Sequence, residues 1–348
     1  MLPFVLLVAA CGGVERQAAS PDPSAGAAAA PQTETVPDDR LSVEKTGWAT
    51  DFEKRTVSLS EFASGGPGKD GIPAIDRPAF VGVPEADGWL EPREPVIELE
   101  LGGEARAYPV QILIWHEIVN DEIAGTPVTV TFCPLCNTAL VFDRRVGDRV
   151  LDFGTTGNLR NSDLVMYDRQ TESWWQQFGG EAVVGELAGE TLIQLPARIV
   201  AWEDFASRHP DGEVLSRETG NSRPYGANPY GGYDDVDSPP FFPAANLDDE
   251  RLPPKERVVL LERGGAVAVV PFSALEAAGT IDVEVGGELF EVVWVPGVGS
   301  ALDDDSIADG RIVGSAQVRS AGTGEPVPFD TPFWFAVAAF RPDARIVR

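Results

Sequence analysis

Glu94-Pro-Val-Ile-Glu-Leu-Glu-Leu-Gly-Gly-Glu-Ala-Arg-Ala-Tyr-Pro109 returns later in the chain as Glu256-Arg-Val-Val-Leu-Leu-Glu-Arg-Gly-Gly-Ala-Val-Ala-Val-Val-Pro271. The shift is 162 residues, and the match runs without a gap to Leu140 and Leu302, with 14 identities in 47 positions. Self-similarity of this kind argues for two copies of one supersecondary unit. In each copy an apolar strand (Val96–Leu101; Val258–Leu261) meets a Gly-Gly pair, the usual hairpin signal, and a second strand follows (Ala105–Tyr108; Val267–Val270). Pro109 and Pro271 then stand where a helix can begin without losing a hydrogen bond. The first helix is expected over Val110–Asn120, apolar almost all round and therefore buried. A strand (Val128–Phe132; Phe290–Val295) and a tight turn come next, and in the first copy an extended stretch, Thr138–Phe142.

The copies realign near their ends at a shift of 132, through Trp202/Trp334, Pro210/Pro342 and Asp211/Asp343. The second copy is thus about 30 residues shorter and lacks a counterpart of Leu159–Gly189. The expected fold is α+β and strand-rich, with two pseudo-repeated β-hairpin/helix/strand units, the second shortened. The expected division is a first half at 41–238, a linker at 239–255 and a second half at 256–348.

The duplication works as an internal control. Cys133 stands against Val295, Cys136 against Val298 and His116 against Ala278, while scaffold glycines and prolines persist. A fold that dispenses with these side chains in one copy keeps them in the other for chemistry. They centre on Thr129-Val-Thr-Phe-Cys133-Pro-Leu-Cys136-Asn-Thr-Ala-Leu-Val-Phe142.

Three readings compete there. A dithiol redox motif wants a helix after the second cysteine, whose N-terminal end lowers a thiol pKa. Asn137–Phe142 instead reads as a strand, with β-branched and aromatic residues. A Cys-Pro-x-Cys turn between two strands resembles the metal knuckle of rubredoxin-like and zinc-ribbon sites. The position after its second cysteine often needs positive φ, which Asn137 tolerates next best after glycine. Thiolates suit zinc, copper or iron; His116 is the third candidate ligand, and His209 or Met166 the fourth. The third reading is a local disulfide.

The segment absent from the second copy holds further candidates. Arg160, Asn161 and Ser162, with Asp163 beside them, precede a strand at Leu164–Tyr167; a turn at 168–172 and a second strand at Ser173–Gln177 follow. Arg160 and Asn161 could clamp a carboxylate, phosphate or amide, and Ser162, Met166, Tyr167, Asp168 and Arg169 complete a candidate pocket. The alternative is ordinary turn capping by Asn, Ser and Asp. Trp174 and Trp175 read as core. Pro229-Tyr230-Gly-Gly-Tyr233 reads as a pocket wall or a solvated lid. A Gly-rich phosphate loop, a serine nucleophile elbow and a His-Glu-x-x-His helix are all absent from the sequence.

The 348 residues carry 55 acids against 27 bases, a formal charge of −28, which disfavours nucleic acid and anionic lipid as partners. Hydrophobic residues make up 43%, enough for a globular core. The start, Met1-Leu-Pro-Phe-Val-Leu-Leu-Val-Ala-Ala-Cys11, resembles the signal peptide and lipobox of bacterial lipoproteins. That resemblance implies cleavage before Cys11, a lipid on its thiol, membrane anchoring and an extracytoplasmic location. No Lys or Arg precedes the apolar run, so a start upstream of Met1 is among the expectations. Residues 12–40, rich in Ala, Pro, Gln and Ser, read as a flexible tether.

Trp115-His-Glu-Ile-Val-Asn-Asp121, Cys133-Pro-Leu-Cys-Asn-Thr138, Leu159-Arg-Asn-Ser-Asp-Leu-Val-Met-Tyr-Asp-Arg169, Gly299-Ser-Ala-Leu302 and Phe333-Trp-Phe335 together resemble the bacterial and archaeal family called domain of unknown function 3179. The resemblance spans roughly Gly88 to Arg348. It implies an exported or anchored protein and brings no activity with it. The leading expectation is a lipid-anchored copper or zinc site built from Cys133, Cys136 and His116. The others are an extracytoplasmic thiol-disulfide oxidoreductase and a binding or scaffold protein stapled by a local disulfide.

Overall fold

A computed structural model describes residues 43–348, which fall in one compact unit. The expected signal at 1–11 with Cys11 and the tether at 12–40 lie outside the described residues. No helix among the described residues is long and apolar enough to cross a membrane.

Among the described residues 39% are strand and 12% helix, with five small sheets in a β-propeller arrangement. This corrects the expected α+β class and its two pseudo-repeated units. The matched segments do form the same succession of hairpin, helix and hairpin, but each succession is split between two sheets. Pro95–Leu101 and Glu104–Pro109 join Ala197–Ala201, Glu213–Leu215 and Phe80–Gly82 in one sheet. Ile118–Ile123, Thr126–Cys133 and Thr138–Asp143 pair with Ile193–Leu195 in another. Later, Val258–Arg263 and Ala266–Pro271 take Arg345–Ile346 as partner, while Thr280–Val285 and Glu288–Val295 take Ser315–Ser320. The fifth sheet runs Phe62–Ser64, Phe153–Arg160, Asp163–Asp168, Trp174–Gln176 and Glu181–Val184, and Arg145–Val146 with Arg149–Val150 forms a separate two-stranded pair. Periodicity in sequence reports strands and turns; it is silent on which strands from afar complete each sheet, and those partners make the small sheet the unit of the fold.

The helices are short connectors. Val110–His116 is seven residues and ends before Glu117, not at Asn120 as expected. Glu117 takes φ 59°, ψ −30°, which stops the helix, and Ile118–Ile123 is already a strand. Phe272–Ala278 stops in the same way at Gly279, with φ 76°, ψ −38°.

The strand Thr126–Cys133 is fully buried from Pro127 onward, and Thr138–Asp143 is buried throughout. Their apolar residues join the main hydrophobic core with Leu164, Met166, Trp175, Phe178, Phe333 and Trp334. Two faces covered by neighbouring sheets explain why these strands read as continuous apolar runs rather than alternating ones.

Candidate metal centre

The Cys-Pro-Leu-Cys turn closes a tight hairpin. Cys133 is the last residue of its strand and pairs with Thr138, the first of the next. Asn137 adopts φ 58°, as the knuckle reading requires, and its amide donates to the Thr331 carbonyl at 2.8 Å. The strand at Thr138–Asp143 removes the helix that a thioredoxin-like motif needs. Main-chain and side-chain bonds hold the turn from three sides. The Phe333 N–H donates to the Cys136 carbonyl at 2.9 Å, the Tyr233 hydroxyl donates to the Leu135 carbonyl at 2.8 Å, and the Ala139 N–H donates to Asp330 at 3.2 Å.

Both thiols are free and buried. The third residue at them is Asp163. One candidate donor atom each from Cys133, Cys136 and Asp163 lies within 4.8 Å of the other two, and all three residues are buried. The Cys136 thiol donates to Asp163 Oδ1 at 2.7 Å and lies 3.1 Å from the Thr138 hydroxyl. Asp163 Oδ2 accepts from the Phe178 N–H at 2.9 Å and from the Gln176 amide. Gln177 braces the hairpin from behind, accepting from Thr138 at 2.6 Å and donating to Thr131 at 2.9 Å. Asp163, Gln176, Gln177 and Phe178 all lie within Leu159–Gly189, the stretch without a counterpart in the later matched sequence.

The electrostatics of the centre are one-sided. Burial raises the Cys133 thiol and pushes that of Cys136 well above the usual range. Burial also raises Asp163 to about 6 and Glu117 to about 8. The charged groups acting on Cys133, Cys136 and Glu117 are Asp163, Glu117 and the cysteines themselves, all acidic. Tyr230 is raised by burial and then by Glu117 and Cys133; Tyr233 is raised by burial and then by the two cysteines. The tyrosine loop therefore walls the thiol site. Such a set of buried acids is costly as anions and becomes favourable around a cation, which displaces the thiol protons. Two sulfurs and a carboxylate suit a borderline or soft transition metal.

His116 does not join the thiols in this group. It is fully buried, with Nδ1 at 2.7 Å from the Pro73 carbonyl and Nε2 at 2.7 Å from the Tyr225 hydroxyl, so both ring nitrogens are taken. Burial lowers its pKa, which favours the neutral ring. His209 stands at another group, with Nε2 2.8 Å from Glu98 Oε1. Met166 is core, opposite Thr155 and Trp175 on neighbouring strands.

The other candidate pocket residues have structural partners. Arg160 pairs with Glu61 at 2.8 Å. Asn161 and Ser162, at φ 53° and 61°, form the hairpin turn; Asn161 accepts from the Ala245 N–H at 3.0 Å and Ser162 donates to the Phe242 carbonyl at 3.0 Å. Tyr167 donates to Asp70 at 2.5 Å, and Arg169 pairs with Asp70 at 3.1 Å and Asp76 at 3.2 Å. Asp168 is buried, accepting from the Thr171 N–H at 2.6 Å and Trp175 Nε1 at 2.9 Å. Of the residues in the turn-capping alternative, Asn161 and Ser162 sit at the turn itself, whereas Asp163 accepts from the Cys136 thiol. Trp174 and Trp175 are fully buried core.

Sequence reasoning left Asp163 and Glu117 out of the site. Asp163 was visible only as one of several polar residues at a turn. Glu117 carried a sharper signal: at the shift of 162 it stands against Gly279.

Residues 69–344 match the family described as "Protein of unknown function (DUF3179)". Comparison with curated proteins and with solved structures returns no match.

Proposed function

We propose that this chain, which belongs to the family of unknown function DUF3179, is a metal-binding protein whose centre is Cys133, Cys136 and Asp163, with zinc or copper as the ion. The observation that carries the reading is the convergence of three buried donors within 4.8 Å, braced by Gln176, Gln177 and Phe178. Asp163 takes the place that sequence reasoning gave to His116. Binding, delivery and a metal-dependent reaction all use such a donor set. The reading includes an extracytoplasmic location and a lipid on Cys11, which rest on the N-terminal sequence. Metal analysis of protein purified under reductant, beside Cys133→Ser and Asp163→Asn, tests the centre. One ion per chain in the parent and a loss in both variants supports it; none in the parent sinks it.

One observation favours a second reading, an extracytoplasmic thiol oxidoreductase. Asp163 accepts from the Cys136 thiol at 2.7 Å and can take that proton when Cys136 attacks a mixed disulfide on Cys133. The two thiols would then close to a disulfide, passing two electrons to a disulfide substrate. The raised thiols and the strand after Cys136 weigh against it, because the thiolate is the nucleophile.

A further inference from the structure

Cys133, Cys136 and Asp163 are each 1% exposed or less, so an ion reaches them only when a covering segment moves. Between Glu213–Leu215 and Val258–Arg263 the chain runs for 42 residues, 216–257, without a helix or strand. Stretches of that length in a folded body are uncommon and are usually functional. The first part is pinned to its surroundings. The Asn228 and Gly232 N–H groups donate to the Asp305 and Asp303 carbonyls, and buried Asp234 pairs with Arg257 and Arg311 at 2.7 Å.

Residues 235–252 are held differently. Only Leu252 among them is buried, and none of their main-chain groups bonds to a main-chain group outside 235–255 among the described residues. Their tethers to the body are side-chain bonds. The Phe242 carbonyl accepts from Ser162 at 3.0 Å, the Ala245 N–H donates to Asn161 at 3.0 Å, and Asn246 donates to the Ala338 carbonyl at 2.8 Å. Asn161 and Ser162 immediately precede Asp163. On the cysteine side, Phe241 packs on the Tyr233 ring with centroids 4.4 Å apart, and the Tyr233 hydroxyl donates to the Leu135 carbonyl. The segment therefore leans on both arms of the centre. Lys255 fastens it: Nζ donates to Ser238 Oγ at 2.7 Å and to the Tyr233 carbonyl, and lies 3.6 Å from the Tyr233 ring centroid.

We propose that residues 235–252 are a lid over the Cys133, Cys136 and Asp163 centre, hinged beside Asp234 and latched by Lys255, which lifts to admit the metal ion. This rests on the metal reading above and adds the ion's route to it. Lifting breaks side-chain bonds and leaves the strands that carry the donors paired, so it takes less free energy than unfolding the sheets beneath. The lid supplies no donor, so loosening it speeds entry and exit of the ion alike.

The test is iodoacetamide labelling of the reduced, metal-free full chain, read at Cys133 and Cys136 by peptide mass, at urea concentrations below the unfolding transition. Asn161→Gly combined with Ser162→Gly removes two tethers at positions of φ 53° and 61°, which glycine adopts without strain. Lys255→Met removes the latch and keeps an apolar stem. Both variants are expected to label at least tenfold faster than the parent, with a urea dependence well below that of global unfolding. Both should exchange Zn²⁺ faster at an affinity within twofold of the parent's. Labelling within twofold of the parent in both variants overturns the lid. Parent labelling with the full urea dependence of global unfolding also overturns it, since the thiols would then open only with the whole chain. A parent that labels through local opening and binds no Zn²⁺ keeps the lid and sinks the metal centre.

Discussion

The Cys136 thiol donates to Asp163 Oδ1 across 2.7 Å, joining a turn residue to a strand residue of another sheet 27 positions away. This contact brings the Cys-Pro-Leu-Cys turn and the hairpin that carries Asp163 together. Replacing Asp163 by Asn removes a charged donor from the ion and disturbs the oxygen that accepts from Gln176 and Phe178. Zn²⁺ affinity is expected to fall at least tenfold. The metal-free protein should lose about 1–3 kcal/mol, the usual effect of leaving a buried donor unpaired, read from urea unfolding.

His116 gives the converse prediction. Its ring is engaged by Pro73 and Tyr225, away from the thiols. His116→Gln is expected to lower stability while leaving Zn²⁺ affinity within twofold of the parent. A tenfold loss of affinity would return the histidine to the ligand set.

Asp168 separates scaffold from centre. It accepts from the Thr171 N–H and Trp175 Nε1 inside the core. Asp168→Ala leaves both donors unpaired, and a loss of about 1–3 kcal/mol is expected in urea unfolding. Ion affinity should be unchanged once the protein is folded.

Acid stability tests the electrostatics away from the centre. Burial opposes the Glu98 carboxylate, but Arg208, Arg198 and His209 outweigh it and hold its pKa down at about 2, from 4.5. A carboxyl depressed in the folded state stabilises above its unfolded pKa. The contribution, about 3 kcal/mol at most, is therefore complete above pH 4.5 and is lost as pH falls towards 2. Unfolding midpoints of the parent should drop more steeply over that window than those of Glu98→Gln.

Much of the local structure was legible. The turn could be read because few residues tolerate the φ of 58° found at Asn137, and the strand after it because Thr, Val and Phe favour extended backbone. The helix after Pro109 was legible at its start and not at its end. Its last expected turn, Glu117-Ile-Val-Asn120, carries no glycine or proline to stop a helix, and the chain leaves the helix at Glu117 with φ 59°. The propeller arrangement was hidden because strand pairing with Ala197–Ala201, Glu213–Leu215 or Ile193–Leu195 is a long-range choice. Asp163 was hidden for a related reason. A polar residue at a hairpin turn looks like a cap until folding brings a thiol against it.

The most direct test of the central claim is anaerobic titration of the reduced, metal-free protein with Zn²⁺, following bound ion and free thiols together. The account predicts one ion per chain, protection of both Cys133 and Cys136 from thiol reagents, and loss of binding in Cys136→Ser. Two reduced thiols with no ion bound at saturating Zn²⁺ would contradict it.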